Sequence, residues 1–303
     1  MGAQIDNAVA RTELLTKPKL GIGLAFIGGV ALSIDIPLSR MAGADPYVVM
    51  VARGFGLAIM LWLYARLALP ESARIWRLLT NRDFIVVGTL SGANNVFFTL
   101  AVFNTTTANV VFILAFNAML AAIISWPMTG ERPSLATIGA IAATILGVWI
   151  IVFEGFGTTN TLGDIFALIC AFLLAFSLTL TRRSGQDLSL APAFGGLVSG
   201  LFALPTVLLL GSMPEMPIWL AIDALIFVPI AAVTLWLAPR YITAPQVALF
   251  YLLETVLAPL WVWMIFAEFP RTQVFIGGAI IIVALAAHTL WEIRNHRARK
   301  NPA

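Results

Sequence analysis

Residues 243–270 read TAPQVALFYLLETVLAPLWVWMIFAEFP, and one carboxylate, Glu254, lies near the middle of this apolar run. A helix crosses the hydrocarbon core of a bilayer in about 20 residues, so the stretch is long enough to span. An acidic side chain at mid-depth costs about 2.5–3.5 kcal/mol on insertion scales. Such a group persists where it faces a protein interior or a wet cavity, which is the position predicted for Glu254. An earlier stretch, residues 106–133, reads TTANVVFILAFNAMLAAIISWPMTGERP. At an offset of 137 it matches the first at Thr106/Thr243, Val110/Val247, Ala121/Ala258, Trp126/Trp263, Glu131/Glu268 and Pro133/Pro270. That register sets Asn109 on Gln246 and Asn117 on Glu254, two polar positions eight residues apart in each copy.

A second pair of segments repeats in the same sense. LGIGLAFIGGVALSIDIPLSR (20–40) aligns with LGDIFALICAFLLAFSLTLTR (162–182) at an offset of 142, matching Leu20, Gly21, Ala25, Ile27, Leu32, Leu38 and Arg40. A removable leader has no reason to be duplicated within a mature helix, so this first apolar run is read as a span rather than a signal peptide. Apolar runs occur at about 20–38, 47–69, 83–103, 107–127, 134–153, 162–181, 192–211, 217–237, 244–266 and 272–291. The reading is an all-α integral membrane protein of ten transmembrane helices. It divides into a tail (1–19), a first five-helix repeat (20–153), a second (162–291) and a basic tail (292–303). Five is odd, so the second repeat is expected to be inverted, with a central cavity at mid-depth between the halves.

Composition agrees. The chain of 303 residues is 60% hydrophobic and 11% charged, with a mean hydropathy of +0.94; soluble domains carry about 25% charged residues. The net charge of +3 reflects where the basic residues sit and does not point to nucleic acid. With both termini on the cytoplasmic side, the inner segments hold all 18 Lys and Arg except Arg40 and Arg271 outside and Arg53 within a span. The positive-inside rule therefore predicts cytoplasmic termini, in a cell inner membrane. A single cysteine, Cys170, excludes an internal disulfide and a cysteine metal cluster. His288 and His296 lack a carboxylate cluster, and the chain has no phosphate-cradling loop. No metal, cofactor or ATP hydrolysis is expected.

The candidate substrate-binding residues follow from the repeat. Glu254 would meet a substrate ammonium or exchange a proton, with Tyr251 one turn back, Gln246 two turns back, and Asn117 and Asn109 facing the same cavity. Asn94 and Asn95 add amides that serve a carboxylate through N–H and an ammonium through C=O. Phe98 and Trp236 are among the aromatics able to stack on a flat ligand or hold a cation. Asp35 and Arg53, at similar depth in the first two spans, are read as an ion pair with a structural or gating role. Pro259 is expected to kink its helix.

These features resemble the drug/metabolite transporter superfamily, in its EamA-like branch. The most specific pieces are the hairpins that end each half. Leu253-Glu254-Thr255 stands where the family carries Leu-Glu-Pro, Gly130-Glu131-Arg132 keeps the family's Gly-Glu form, and Ala267-Glu268-Phe269 is its weaker copy. Thr255 and Phe116-Asn117 depart from the pattern. Within the branch the chain is most similar to bacterial exporters of aromatic amino acids. The resemblance implies a secondary transporter exporting amino acids and related metabolites by alternating access. Its implied partners are a small-molecule substrate, the lipid bilayer and protons. Spans one to four and six to nine would line the cavity, with five and ten peripheral. Efflux of lipophilic cations is the alternative within transport; a lipid-modifying membrane enzyme is the rival from another class.

Overall fold

The computed structural model describes residues 18–68, 80–105, 107–153, 161–210, 214–267, 269–270 and 272–300. Thr106, Glu154, Glu268, Arg271, the tail over 1–17 and the segment 69–79 lie outside the described residues. Regular structure among the described residues is helical throughout. In chain order it comprises α1 (Pro18–Ser33), α2 (Asp35–Ala42), α3 (Pro46–Ala68), α4 (Arg82–Asn104), α5 (Thr107–Ala115), α6 (Asn117–Thr129) and α7 (Leu135–Val152). It continues with α8 (Thr161–Ser184), α9 (Ala191–Leu210), α10 (Pro217–Ile222), a π-helical turn (Asp223–Phe227), α11 (Val228–Leu237), α12 (Ala244–Tyr251), α13 (Leu253–Phe266) and α14 (Thr272–Lys300).

Nine stretches among the described residues are long and apolar enough to span, and a shorter apolar helix, Leu135–Ile151, falls where the fifth span is expected. The chain is a multi-pass membrane protein. Four of these spans are composite: the first joins α1 and α2, the fourth α5 and α6, the eighth α10, the π turn and α11, and the ninth α12 and α13. Side chains fix several helix ends. Asn81 Oδ1 accepts from the amides of Asp83 and Phe84 to start α4, and Ser134 Oγ accepts from Thr137 N at 3.1 Å to start α7. Gly130, in the left-handed region at φ 73°, ends α6.

The helices pack as a set of pairs: span one on eight and nine, two on seven and eight, three on six and seven, four on six and nine, and five on ten. Exchanging each span for the one five places along maps these principal pairings onto themselves. Small residues carry the closest approaches. A Cβ on Gly54 would strike the carbonyl of Gly196, and one on Gly147 would strike that of Gly277. Further contacts join six to eight, six to nine, five to nine and one to ten. These four have no image of like extent among the described residues. All four lie toward the face that carries Glu131, Arg182 and Arg240, the basic face.

Candidate functional site

Spans four and nine are interrupted at matching places. Phe116 breaks the fourth with φ −70° and ψ −9°, and Leu252 breaks the ninth with φ −70° and ψ −11°. Each amide turns back three residues, Phe116 N to Ile113 O at 3.1 Å and Leu252 N to Leu249 O at 3.2 Å, so the helix tightens locally instead of opening. The chain then restarts in a longer half-helix, whose N-terminal end carries partial positive charge. Asn117 is the first residue of α6, buried, with Oδ1 lacking any hydrogen-bond partner. Glu254 is the second residue of α13, half-buried, at the dipole end that favours an anion. Gly29 of α1 lies against this break: a Cβ there would stand 2.6 Å from the Phe250 carbonyl oxygen. Pro259 sits inside α13 without interrupting it. The interruption of this span lies seven residues earlier, at Leu252, where an i−3 hydrogen bond replaces the helical one.

Arg53 is the hub of the neighbouring charges. Its Nη2 forms an ion pair with Asp35 and donates to Ser39 Oγ at 2.8 Å; its Nε donates to Asp223 Oδ2 at 3.0 Å. It also interacts electrostatically with Glu254, which in turn acts on Tyr251. The ion pair expected between Asp35 and Arg53 is thus present and extends to a third member. From the sequence Asp223, early in the eighth span on its outer side, reads as an interfacial residue; the structure instead buries it against Arg53, 170 residues away. Its signal, a lone aspartate at the start of a span, fits an interfacial position equally well. Both acids stand at irregularities of their spans: Asp35 follows the break at Ile34, and Asp223 opens the π-helical turn. Trp261 Nε1 donates to Ser33 Oγ at 2.9 Å and ties the ninth span to the first beside that break.

The remaining candidates are dispersed. Gln246 is buried at the start of α12, where its Oε1 accepts from the Thr243 amide at 2.8 Å. Asn109 holds the equivalent place near the start of α5, and its Nδ2 donates to Thr105 Oγ1 and Asp164 Oδ1, both at 3.2 Å. Asn94 Oδ1 accepts from the Cys170 thiol at 3.1 Å, joining spans three and six. The Asn95 side chain is half-buried, and its carbonyl accepts from Thr99 Oγ1. Phe98 packs in a cluster with Ala101, Val110 and Ala167, and Trp236 is buried in the main core. The structure brings Glu254, Tyr251, Arg53, Asp35 and Asp223 into one electrostatic group.

Comparison with known proteins places this geometry in context. Residues 19–153 match the EamA-like transporter family, so the first five spans carry an EamA-like domain, a domain of membrane transporters of small molecules. No curated protein matches the chain. One solved chain, described only as the crystal structure of a protein, superposes with a TM-score of 0.75 at 21% identity, over 90% of this chain and 98% of that one. At that identity the likeness establishes the fold.

Proposed function

We propose that this chain, with its EamA-like domain over residues 19–153, is a secondary transporter that exports amino acids, aromatic ones foremost, across a bacterial inner membrane by alternating access. The observation that carries the reading is the pair of mid-span breaks at Phe116 and Leu252, each with a polar group in the first two residues of the restarted helix, Asn117 or Glu254. Broken helices with polar groups at their restarts are how membrane transporters present hydrogen-bonding capacity at mid-depth. Spans four and nine pack on each other through the half-helix that Asn117 opens and the half-helix that ends just before Leu252. The exchange of principal pairings supports two related, inverted halves. The four extra contacts on the basic face are the asymmetry that a state closed on that side would have, and the positive-inside rule makes that side cytoplasmic. An aromatic amino acid would offer its ammonium to Glu254 and its ring to Tyr251, the aromatic residue beside it.

A second reading is favoured by one observation: Arg53 faces three carboxylates, Asp35, Asp223 and Glu254. That surplus of negative charge suits an organic cation better than a zwitterion. Uptake into proteoliposomes, with tryptophan and phenylalanine competing against a quaternary dication, with and without a pH gradient, separates the two. Flux of neither class would sink the transport proposal.

A further inference from the structure

We propose that Asp35, Arg53 and Asp223 form a binding site for one small exchangeable monovalent cation, a proton or a sodium ion, held at Asp223 Oδ1. The charge count requires something there. One guanidinium serves two carboxylates, and the Asp223 side chain is wholly buried, with Asp35 at 9% exposure. Asp223 Oδ2 takes the Arg53 Nε–H at 3.0 Å, while Oδ1 is buried with no partner at all. An ionised carboxylate left half-solvated by protein in a low-dielectric interior costs several kcal/mol. A bound cation removes that cost.

Among the described residues no side chain other than Arg53 is hydrogen-bonded to the Asp223 carboxylate. The elements packed on the π turn are α2, α3, α10 and α11. From α2 come Asp35 and Arg40, and the Arg40 guanidinium sits 4.7 Å over the Phe266 ring; from α3 comes Arg53. Neither α10 nor α11 carries a charged residue. Across the gap α13 contributes Glu254, another acid.

Arg53 links this site to the transport reading, on which the next step rests. A cationic group arriving at Glu254 cancels a negative charge that Arg53 and its two aspartates sense. The local potential rises, and the small cation leaves Asp223 Oδ1 for water. Entry of a substrate cation and release of the bound one are thereby coupled without any covalent step.

The site is testable with no substrate in hand. Difference infrared spectroscopy on the purified full chain in nanodiscs follows the C=O stretch of protonated carboxyl groups as pH rises, in sodium-free and sodium-containing buffer. The expected result is a carboxyl band that titrates away in the wild type, persists in Glu254→Gln and is lost in Asp223→Asn. Asp35→Asn, which balances Arg53 with a single carboxylate, should lose it as well and serves if Asp223→Asn does not fold. Loss of the band at lower pH in sodium buffer, or a sodium-dependent rise in thermal stability that needs Asp223, identifies sodium as the occupant. No titrating band and no sodium effect in the wild type overturns the proposal. Because Glu254→Gln must keep the band, failure of the transport reading leaves this result distinct.

Discussion

Arg182 holds Glu131 with two of its nitrogens, Nη2 to Oε1 at 2.7 Å and Nε to both carboxylate oxygens at 3.1 and 3.2 Å. Its third nitrogen, Nη1, donates to the carbonyls of Pro239 and Arg240. The arginine side chain is 7% exposed. One guanidinium therefore closes the end of α6, the end of α8 and the turn after α11 on the basic face. Arg240 Nη1 extends the network to Asp187 at 3.0 Å.

Removing that guanidinium should be worse than weakening its acceptor. Arg182→Ala strands a carboxylate and two carbonyls, and losing one partner of a buried pair costs about 3–5 kcal/mol. Glu131→Gln keeps one oxygen acceptor and loses a charged hydrogen bond, about 1.5–3 kcal/mol. Thermal unfolding in detergent should rank wild type above Glu131→Gln above Arg182→Ala. Equal stability of all three would remove the network from any role in closing this face.

Backbone approach between spans two and seven and between spans five and ten predicts a steric pattern. Gly54→Val and Gly147→Val each drive a side chain into a facing carbonyl, at Gly196 and Gly277. Overpacking of this kind costs about 1–3 kcal/mol where the neighbours yield, and more where they are backbone. Gly139, on α7, is the control, because nothing lies within 4 Å of a Cβ placed there. Gly139→Ala should match or exceed wild type, by up to about 1 kcal/mol, through helix propensity. Size-exclusion profiles and melting temperatures of the three variants test this.

How far the sequence carried depended on how local each feature was. The spans were legible because about 20 apolar residues in a row admit few other readings, and the structure puts helices at all ten places. Gln246 was read as a cavity residue matched to Asn109, whereas its Oε1 accepts from the Thr243 amide, and the spacing Thr-x-x-Gln is that of a helix start. The breaks at Phe116 and Leu252 were not, since no proline or glycine stands beside them and packing against other spans decides them; the break at Ile34 has a local mark in Pro37, which cannot donate to the Ser33 carbonyl. Gly29 against the Phe250 carbonyl is such a contact, and it joins residues more than 200 positions apart. The same distance hid the third member of the Arg53 cluster.

Charge at Glu254 should matter more than its shape. Glu254→Gln preserves size and hydrogen bonding and removes the negative charge that a substrate cation would meet. If that contact forms in transport, flux should fall at least about tenfold, equivalent to about 1.4 kcal/mol. Folding should be nearly unchanged, because Glu254 is half-buried. Proteoliposome flux, alongside melting temperature, is the measurement. Wild-type flux from this variant would remove Glu254 from the substrate path.

Asn117 sets stability against function. Its Oδ1 is buried without a hydrogen-bond partner, and an unsatisfied buried polar group costs about 1–3 kcal/mol. A chain selected for folding alone would replace it with an apolar residue of similar volume. Asn117→Leu should therefore melt at a temperature equal to or above wild type. If the oxygen is kept for a substrate donor, the same variant should lose transport, and Asn117→Asp, which keeps the oxygen, should retain more of it. That order in flux, opposed to the order in stability, is the signature of a residue retained for its ligand. A variant less stable than wild type and equal in flux would instead make Asn117 a packing residue between spans four and nine.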